Sequence, residues 1–275
     1  MQKTRVLYVT QEITPFLPES EISSTVRTLS QGVHEKDKEI RIFMPRFGVI
    51  NERRHQLHEV IRLSGMNLIV NDVDHPLIIK VASVPQARMQ VYFIDNEEFF
   101  KRKRTYTDEN EKYFDDNDER AIFFCRGVVE TVKKLGWTPD IVHCHGSMTA
   151  FLPLYLKKMY AEDPHFSNVK VVYTPYQNEF SDKLDSTIIE KLNFDDIANE
   201  DVEFLKAPTV LGLNKTGAQW ADAISIGSQT INPELSSYIN ASGKPVLDYQ
   251  TEESLVDTHQ EFYEKVLSEN GVLAE

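Results

Sequence analysis

Val6, Leu7, Tyr8 and Val9 form a compact apolar run of β-favouring residues without alternation. That pattern predicts a strand buried on both faces, as in a parallel sheet. A proline-containing loop, Thr14 to Pro18, ends the strand. Val26, Leu29 and Val33 recur at helical spacing and predict a helix from about Ser23. Ile40, Ile42 and Phe43 make a second strand, closed by Pro45. This βαβ opening requires a parallel sheet with a right-handed crossover.

Residues 58–100 read as an extension of that sheet. Val60 to Leu63, Leu68 to Val70, Leu77 to Val84 and Val91 to Ile94 are short β-prone runs punctuated by Pro76 and Pro85. Residues 117–135 predict a helix, with Asn117 as its cap, Glu119 and Arg120 in its first turn and Gly136 at its end. A short strand over Ile141 to His145 and a helix over Thr149 to Tyr160 follow. Lys170 to Thr174 is another buried-type strand, 181–206 reads as helical and acidic, and Ala223 to Gly227 is the last strand. Leu255, Val256, His259, Phe262, Tyr263, Val266 and Leu267 place an amphipathic helix over 252–268.

The 275 residues are 41% hydrophobic and 10% aromatic, enough for a real core. The net charge of −13 argues against general binding to nucleic acid or an anionic membrane, and suits a neutral sugar better than a polyanion. Cys125 and Cys144 are too few for a disulfide framework. The N-terminus lacks the shape of a signal peptide, and no stretch approaches the ~20 apolar residues that span a bilayer. A cytoplasmic, soluble α/β chain is expected.

Three strand-end clusters are candidates for chemistry, because ligands of open α/β sheets bind beyond the carboxyl ends of strands. The first is Thr10, Gln11 and Glu12 with the loop behind them. That loop has no glycine to let backbone N–H groups approach a phosphate, and it carries Glu19 and Glu21. The second is His143-Cys144-His145, whose alternate imidazoles share one strand face. They read as a hydrogen-bonded pair lining a cleft or as structural histidines. No further Cys/His run completes a metal site, so neither metal nor cofactor is assigned. The third is Tyr176, Gln177, Asn178 and Glu179, which suit a sugar site and equally an ordinary loop. The run Lys101–Arg104 is either a solvated loop neutralised by the following acids or a phosphate grip.

Several segments, in order, resemble the N-terminal half of bacterial glycogen synthases and plant starch synthases, glycosyltransferase family 5. They are VLYVTQEITPF (6–16), IRIFMPRFGVI (40–50), VYFIDNEEFFKR (91–102), DENEKYFDDNDERAIFFCRGVVE (108–130), WTPDIVHCHGSMTAFLPLYLK (137–157), VVYTPYQNEF (171–180) and FLKAPTVLGLNKTGAQWADAISIGSQT (204–230). The resemblance implies a single Rossmann-like, doubly wound, mostly parallel sheet of the GT-B N-terminal type over 1–243. It also implies a tail over 244–275 whose helix packs back on the domain. The family transfers glucose from a nucleotide sugar, usually ADP-glucose, to an α-1,4-glucan. In the family the positions of Glu12 and His145 face acceptor or donor glucose, and Glu12, His143, His145, Thr174, Tyr176 and Gln177 are the candidate ligand-binding residues of an acceptor-side cleft here.

The departures are specific. In the family's K-x-G-G nucleotide-sugar loop the lysine is Pro18 here and the glycines are Ser20 and Glu21. In H-D-W the aspartate is Gly146 and the tryptophan Ser147; in T-I-H-N the histidine and asparagine are Tyr176 and Gln177. The second Rossmann-like domain, which would start near residue 240, is expected to be absent. Three readings follow: an impaired glucosyltransferase, a non-catalytic glucan-binding or partner-docking module, or assembly in trans. Expected partners are an α-glucan or a nucleotide sugar, a second copy in a homo-dimer, or a separate chain carrying the donor domain.

Overall fold

The computed structural model describes residues 3–177, 180 and 183–268. The chain runs β1 (Arg5–Thr10), α1 (Glu21–Glu35), β2 (Glu39–Pro45), α2 (Glu52–His55), β3 (His58–Glu59), β4 (Met66–Val70), β5 (Val73–Val84), β6 (Met89–Asp95) and α3 (Glu97–Phe100). It continues α4 (Asn117–Leu135), β7 (Ile141–His145), α5 (Phe151–Lys157), β8 (Lys170–Thr174), α6 (Ile188–Asn193), α7 (Val210–Trp220), β9 (Ala223–Ser225), α8 (Pro233–Ala241), β10 (Val246–Leu247) and α9 (Glu252–Ser268).

Among the described residues the strands form one sheet in the order β10-β9-β8-β7-β1-β2-β6-β5-β3, with β4 paired to β5. Neighbours from β10 to β6 are parallel, and β3, β4 and β6 each pair with β5 antiparallel. The architecture is the expected doubly wound, mostly parallel α/β sheet. The chain winds from β1 to β2 on one side and later from β7 to β8 on the other, so the crevice lies at the β1/β7 strand ends.

Alternation across the pleat sends side chains to two helical layers. Tyr8 and His143 share a face and meet Tyr263 of α9, whereas Tyr173 points the other way and donates to Asn214 Oδ1 of α7 at 2.5 Å. Helices α1 and α9 pack together; a Cβ on Gly32 would stand 2.4 Å from Val256 Cγ2, so only glycine permits this approach. Phe262, Tyr263 and Val266 put the apolar stripe of α9 into the core.

Several expectations need correction. Residues 60–63 form a turn instead of a strand: Leu63 is buried but Ile61 is 83% exposed. Asn117 does not cap α4; its amide donates to the carbonyls of Tyr106 and Phe180, and Asp116 holds the cap position without a side-chain bond. The expected helix over 149–160 is a 3₁₀ turn (Ser147–Thr149) followed by the shorter α5. The acidic stretch 181–206 breaks into α6 and a 3₁₀ segment, Asn199–Lys206. Helix α1 starts at Glu21 and β9 stops at Ser225, each two residues from the expected position. Helices α7 and α8 and strand β10 were not expected at all.

Candidate functional site: the strand ends of β1, β7 and β8

Register places Thr10, His145 and Thr174 level with one another across β1, β7 and β8. Their side chains share the face that looks toward α1 and α9. Beneath His145, His143 lies with its ring centroid 3.9 Å away. His143 Nε2 is 2.6 Å from Thr174 Oγ1, and its Nδ1 is 2.6 Å from the Tyr263 hydroxyl. That hydroxyl lies 3.2 Å from the Tyr8 hydroxyl. His145 Nδ1 is 2.9 Å from the Tyr176 hydroxyl, and its Nε2 is buried without a partner.

His143, His145, Thr174 and Tyr176 are all buried; His143 pairs with Thr174 and His145 with Tyr176, and the two imidazole rings are in contact. Burial, and then the neighbouring imidazoles, pushes His143 and His145 well below the usual histidine range. Burial raises the Tyr8, Tyr176 and Tyr263 phenols. Both histidines are therefore neutral hydrogen-bonding groups at pH 7. Cys144 points to the opposite face, is buried, and burial raises its thiol well above the usual value, which removes the nucleophilic thiolate.

Glu12 belongs to a neighbouring group. Its Oε2 accepts from Ser20 Oγ at 2.5 Å and its Oε1 accepts from the Tyr106 hydroxyl at 3.2 Å. Ser20 also caps α1 in a reciprocal capping box with Ser23, so the position given to glycine in the family serves the helix here. Glu21 follows as the first residue of α1, where the helix dipole favours a negative group. Ser228 Oγ donates to its Oε2 and accepts from the Gln177 N–H at 2.9 Å. One serine thus ties the α1 terminus to the loops after β8 and β9. Pro18 is exposed and supplies no charge.

Gly146 (φ +88°) closes the other side. A Cβ there would lie 2.4 Å from Gln11 Oε1, which accepts from the Met148 N–H at 3.1 Å. The space an aspartate would use holds the Gln11 amide. Gln177 is exposed at the rim, 3.4 Å from Thr230 Oγ1. Asn178 and Glu179 lie outside the described residues. The basic run 101–104 pairs with acids: Lys101 with Glu97, Arg102 with Asp116 and Lys103 with Glu109. Among the described residues no group of three His, Cys, Asp or Glu could hold a metal ion, and no helix is long and apolar enough to cross a membrane.

Sequence reasoning missed Tyr8, Ser228, His259 and Tyr263. A signal for the last two was present, since histidine and tyrosine stand four residues apart on the apolar face of α9.

An open doubly wound sheet with its polar constellation at the switch point defines the class of Rossmann-like lobes that present a strand-end site. The sequence model of the starch synthase catalytic domain matches residues 5–245. The chain is 36% identical over 232 residues to a glycogen synthase from Chlorobium limicola, covering 84% of this chain and 47% of that protein. A glycogen synthase from Chlorobaculum tepidum is 40% identical over 171 residues, covering 62% of this chain and 35% of that protein. The fold matches the catalytic domain of starch synthase IV from Arabidopsis thaliana, solved with ADP and acarbose. That match has a TM-score of 0.72 at 16% identity and covers 91% of this chain and 52% of that one. The chain belongs to the glycogen and starch synthase family of glycosyltransferases. It spans about half the length of the curated relatives it matches.

Proposed function

We propose that these residues form the glucan-side lobe of a glycogen-synthase-type protein whose nucleotide-sugar loop has been filled, so that the lobe binds α-glucan but does not transfer glucose by itself. The observation that carries this reading is the Glu21 carboxylate, set at the N-terminus of α1 and held there by Ser228.

In the family reaction, glucose leaves a nucleoside diphosphate, and the departing charge must be met by preorganised donors or cations. A helix N-terminus with free N–H groups is such a site. Here the first turn of α1 already carries a carboxylate, the Ser23 N–H is satisfied by Ser20 Oγ, and no lysine stands at position 18. A diphosphate placed there would meet the negative charges of Glu21 and Glu12. A donor lobe supplied by another chain would face the same two carboxylates.

Neutral sugar is a better match to the surfaces beside the plug. A groove of about 350 Å³ lies between Gln177, Asn214, Thr230 and Asn232 with Ile231 and Leu235. Amide and hydroxyl groups beside apolar and aromatic faces suit the rim and faces of a glucose ring.

Calorimetric titration with maltoheptaose, ADP and ADP-glucose, together with a glucose-transfer assay, tests the reading. Binding of maltoheptaose alone, without transfer, is expected. Binding of ADP-glucose accompanied by transfer would overturn it.

A further inference from the structure

The interface between α9 and the sheet buries three imidazoles and no carboxylate. His143 and His145 stand on β7, and His259 descends from α9 with its centroid 5.7 Å from that of His143. His259 Nδ1 donates to the Leu255 carbonyl at 2.7 Å, which leaves Nε2 to accept from Ser225 Oγ at 3.0 Å. The groups facing the trio are Tyr8 from β1, Thr174 and Tyr176 from β8 and its loop, Ser225 from β9, and Tyr263 from α9. Thr25 of α1 and Tyr249 and Gln250, which precede α9, complete the enclosure of His145. None of them carries a charge. On the Tyr176 side the Glu21 carboxylate acts on the phenol, and it is tied to Ser228.

This packing holds only with all three rings neutral. Protonating His143 and His145 would put two cations at 3.9 Å in a site without a counter-charge. The closed state is also incompletely satisfied. His145 Nε2 has no partner among the described residues, and the cavity of about 10 Å³ beside it has room for one water at most. On the outside, α9 is fastened to the turn that follows α1 by two ion pairs, Lys36–Asp257 and Lys38–Glu264. It is further held by the close approach of Val256 to Gly32.

We infer that α9, with the strap that precedes it at 248–251, is an acid-released latch over the strand-end row of His143, His145, Thr174 and Ser225. When α9 lifts, three buried imidazoles become exposed and take up protons near pH 6.5. Between pH 7.5 and 6.0 each contributes a factor of about 4 to the open population, or about 50-fold for three. Release uncovers the hydrogen-bonding row at the strand ends and so couples pH to ligand access there. The latch does not require that the ligand be a glucan.

Hydrogen exchange of the full chain at pH 7.5 and 6.0, corrected for the intrinsic rate, reads the opening directly. Peptides from α9 are expected to open about 50-fold more at the lower pH, with β2 and β6 changing far less. His259→Gln removes one titrating ring and should reduce the factor to about 14. Gly32→Val wedges α9 away from α1 and should leave it exchanging at both pH values. Two results would overturn the inference. One is an α9 as protected as β2 and β6 at both pH values; the other is a pH factor unchanged in His259→Gln. If that variant does not fold, the wild-type comparison decides alone.

Discussion

Tyr263→Phe removes one oxygen from the point where α9 meets the sheet. The ring would keep its edge-on contact with His143, at 5.7 Å and 87°. What disappears is the hydroxyl that lies 2.6 Å from His143 Nδ1 and 3.2 Å from the Tyr8 hydroxyl, both fully buried. Each net hydrogen bond is worth about 1 kcal/mol, and a buried group left unpaired costs about 1–3 kcal/mol. Tyr8 can turn its hydroxyl, whereas the Tyr263 hydroxyl is the bond that His143 Nδ1 makes among the described residues. The expected loss is therefore about 2–4 kcal/mol. For a domain of this size that corresponds to a fall in Tm of roughly 5–15 °C. Thermal and urea unfolding followed by circular dichroism measure it, with Tyr249→Phe, 39% exposed, as the control. A fall in Tm below about 2 °C, equal to that of the control, would refute the premise that this hydroxyl bridges two buried groups.

Cys125 and Cys144 are buried with their thiols raised by desolvation, so an aromatic disulfide reagent should label neither until the protein unfolds. Ser20→Gly with Glu21→Gly takes a carboxylate from the α1 terminus; ADP binding measured by calorimetry should strengthen about 5-fold or more, the equivalent of about 1 kcal/mol of dipole interaction. Asp95→Ala strips the buried carboxylate that Arg46 Nε and Lys80 Nζ each approach at 3.0 Å. It should cost about 3 kcal/mol in urea unfolding, because Arg46 stays buried with only Glu52.

The parts of the fold legible in the sequence are those where a local pattern and its tertiary role agree. The unbroken apolar run at β1 ends in the middle of the sheet because only a doubly covered strand tolerates it. The stripe over 252–268 predicts α9 because the same residues that repeat at helical spacing are the ones it buries. Illegible elements are those set by partners distant in sequence. Asn117 has every local mark of a cap, yet its amide is claimed by the carbonyls of Tyr106 and Phe180, the latter 63 residues further on. Helix α7 reads VLGLNKTGAQW, and its two glycines suppress the helical signal that Val210, Leu213 and Ala218 would otherwise give. The candidate site divides in the same way. The paired face of His143 and His145 follows from strand alternation alone. That Tyr263, 120 residues further on, completes the network follows only from the fold.

The departures from the family pattern are not independent changes. Ser20 caps α1 and at the same time fixes Glu12, while Glu21 holds Ser228, which in turn holds the Gln177 main chain. Gly146 admits Gln11, and Tyr176 gives His145 Nδ1 its partner. Ser20, Glu21 and Tyr176 each supply a bond that another residue uses. Groups in one network do not contribute additively, so reversing a single position strands the partner it served. Restoring glycine at 21 alone frees Ser228 but leaves Ser20 bound to Glu12, and restoring a histidine at 176 takes the hydroxyl from His145. Ser20, Glu21, Gln11 and Tyr176 are thus held by hydrogen bonds internal to the lobe, and each is coupled to at least one partner.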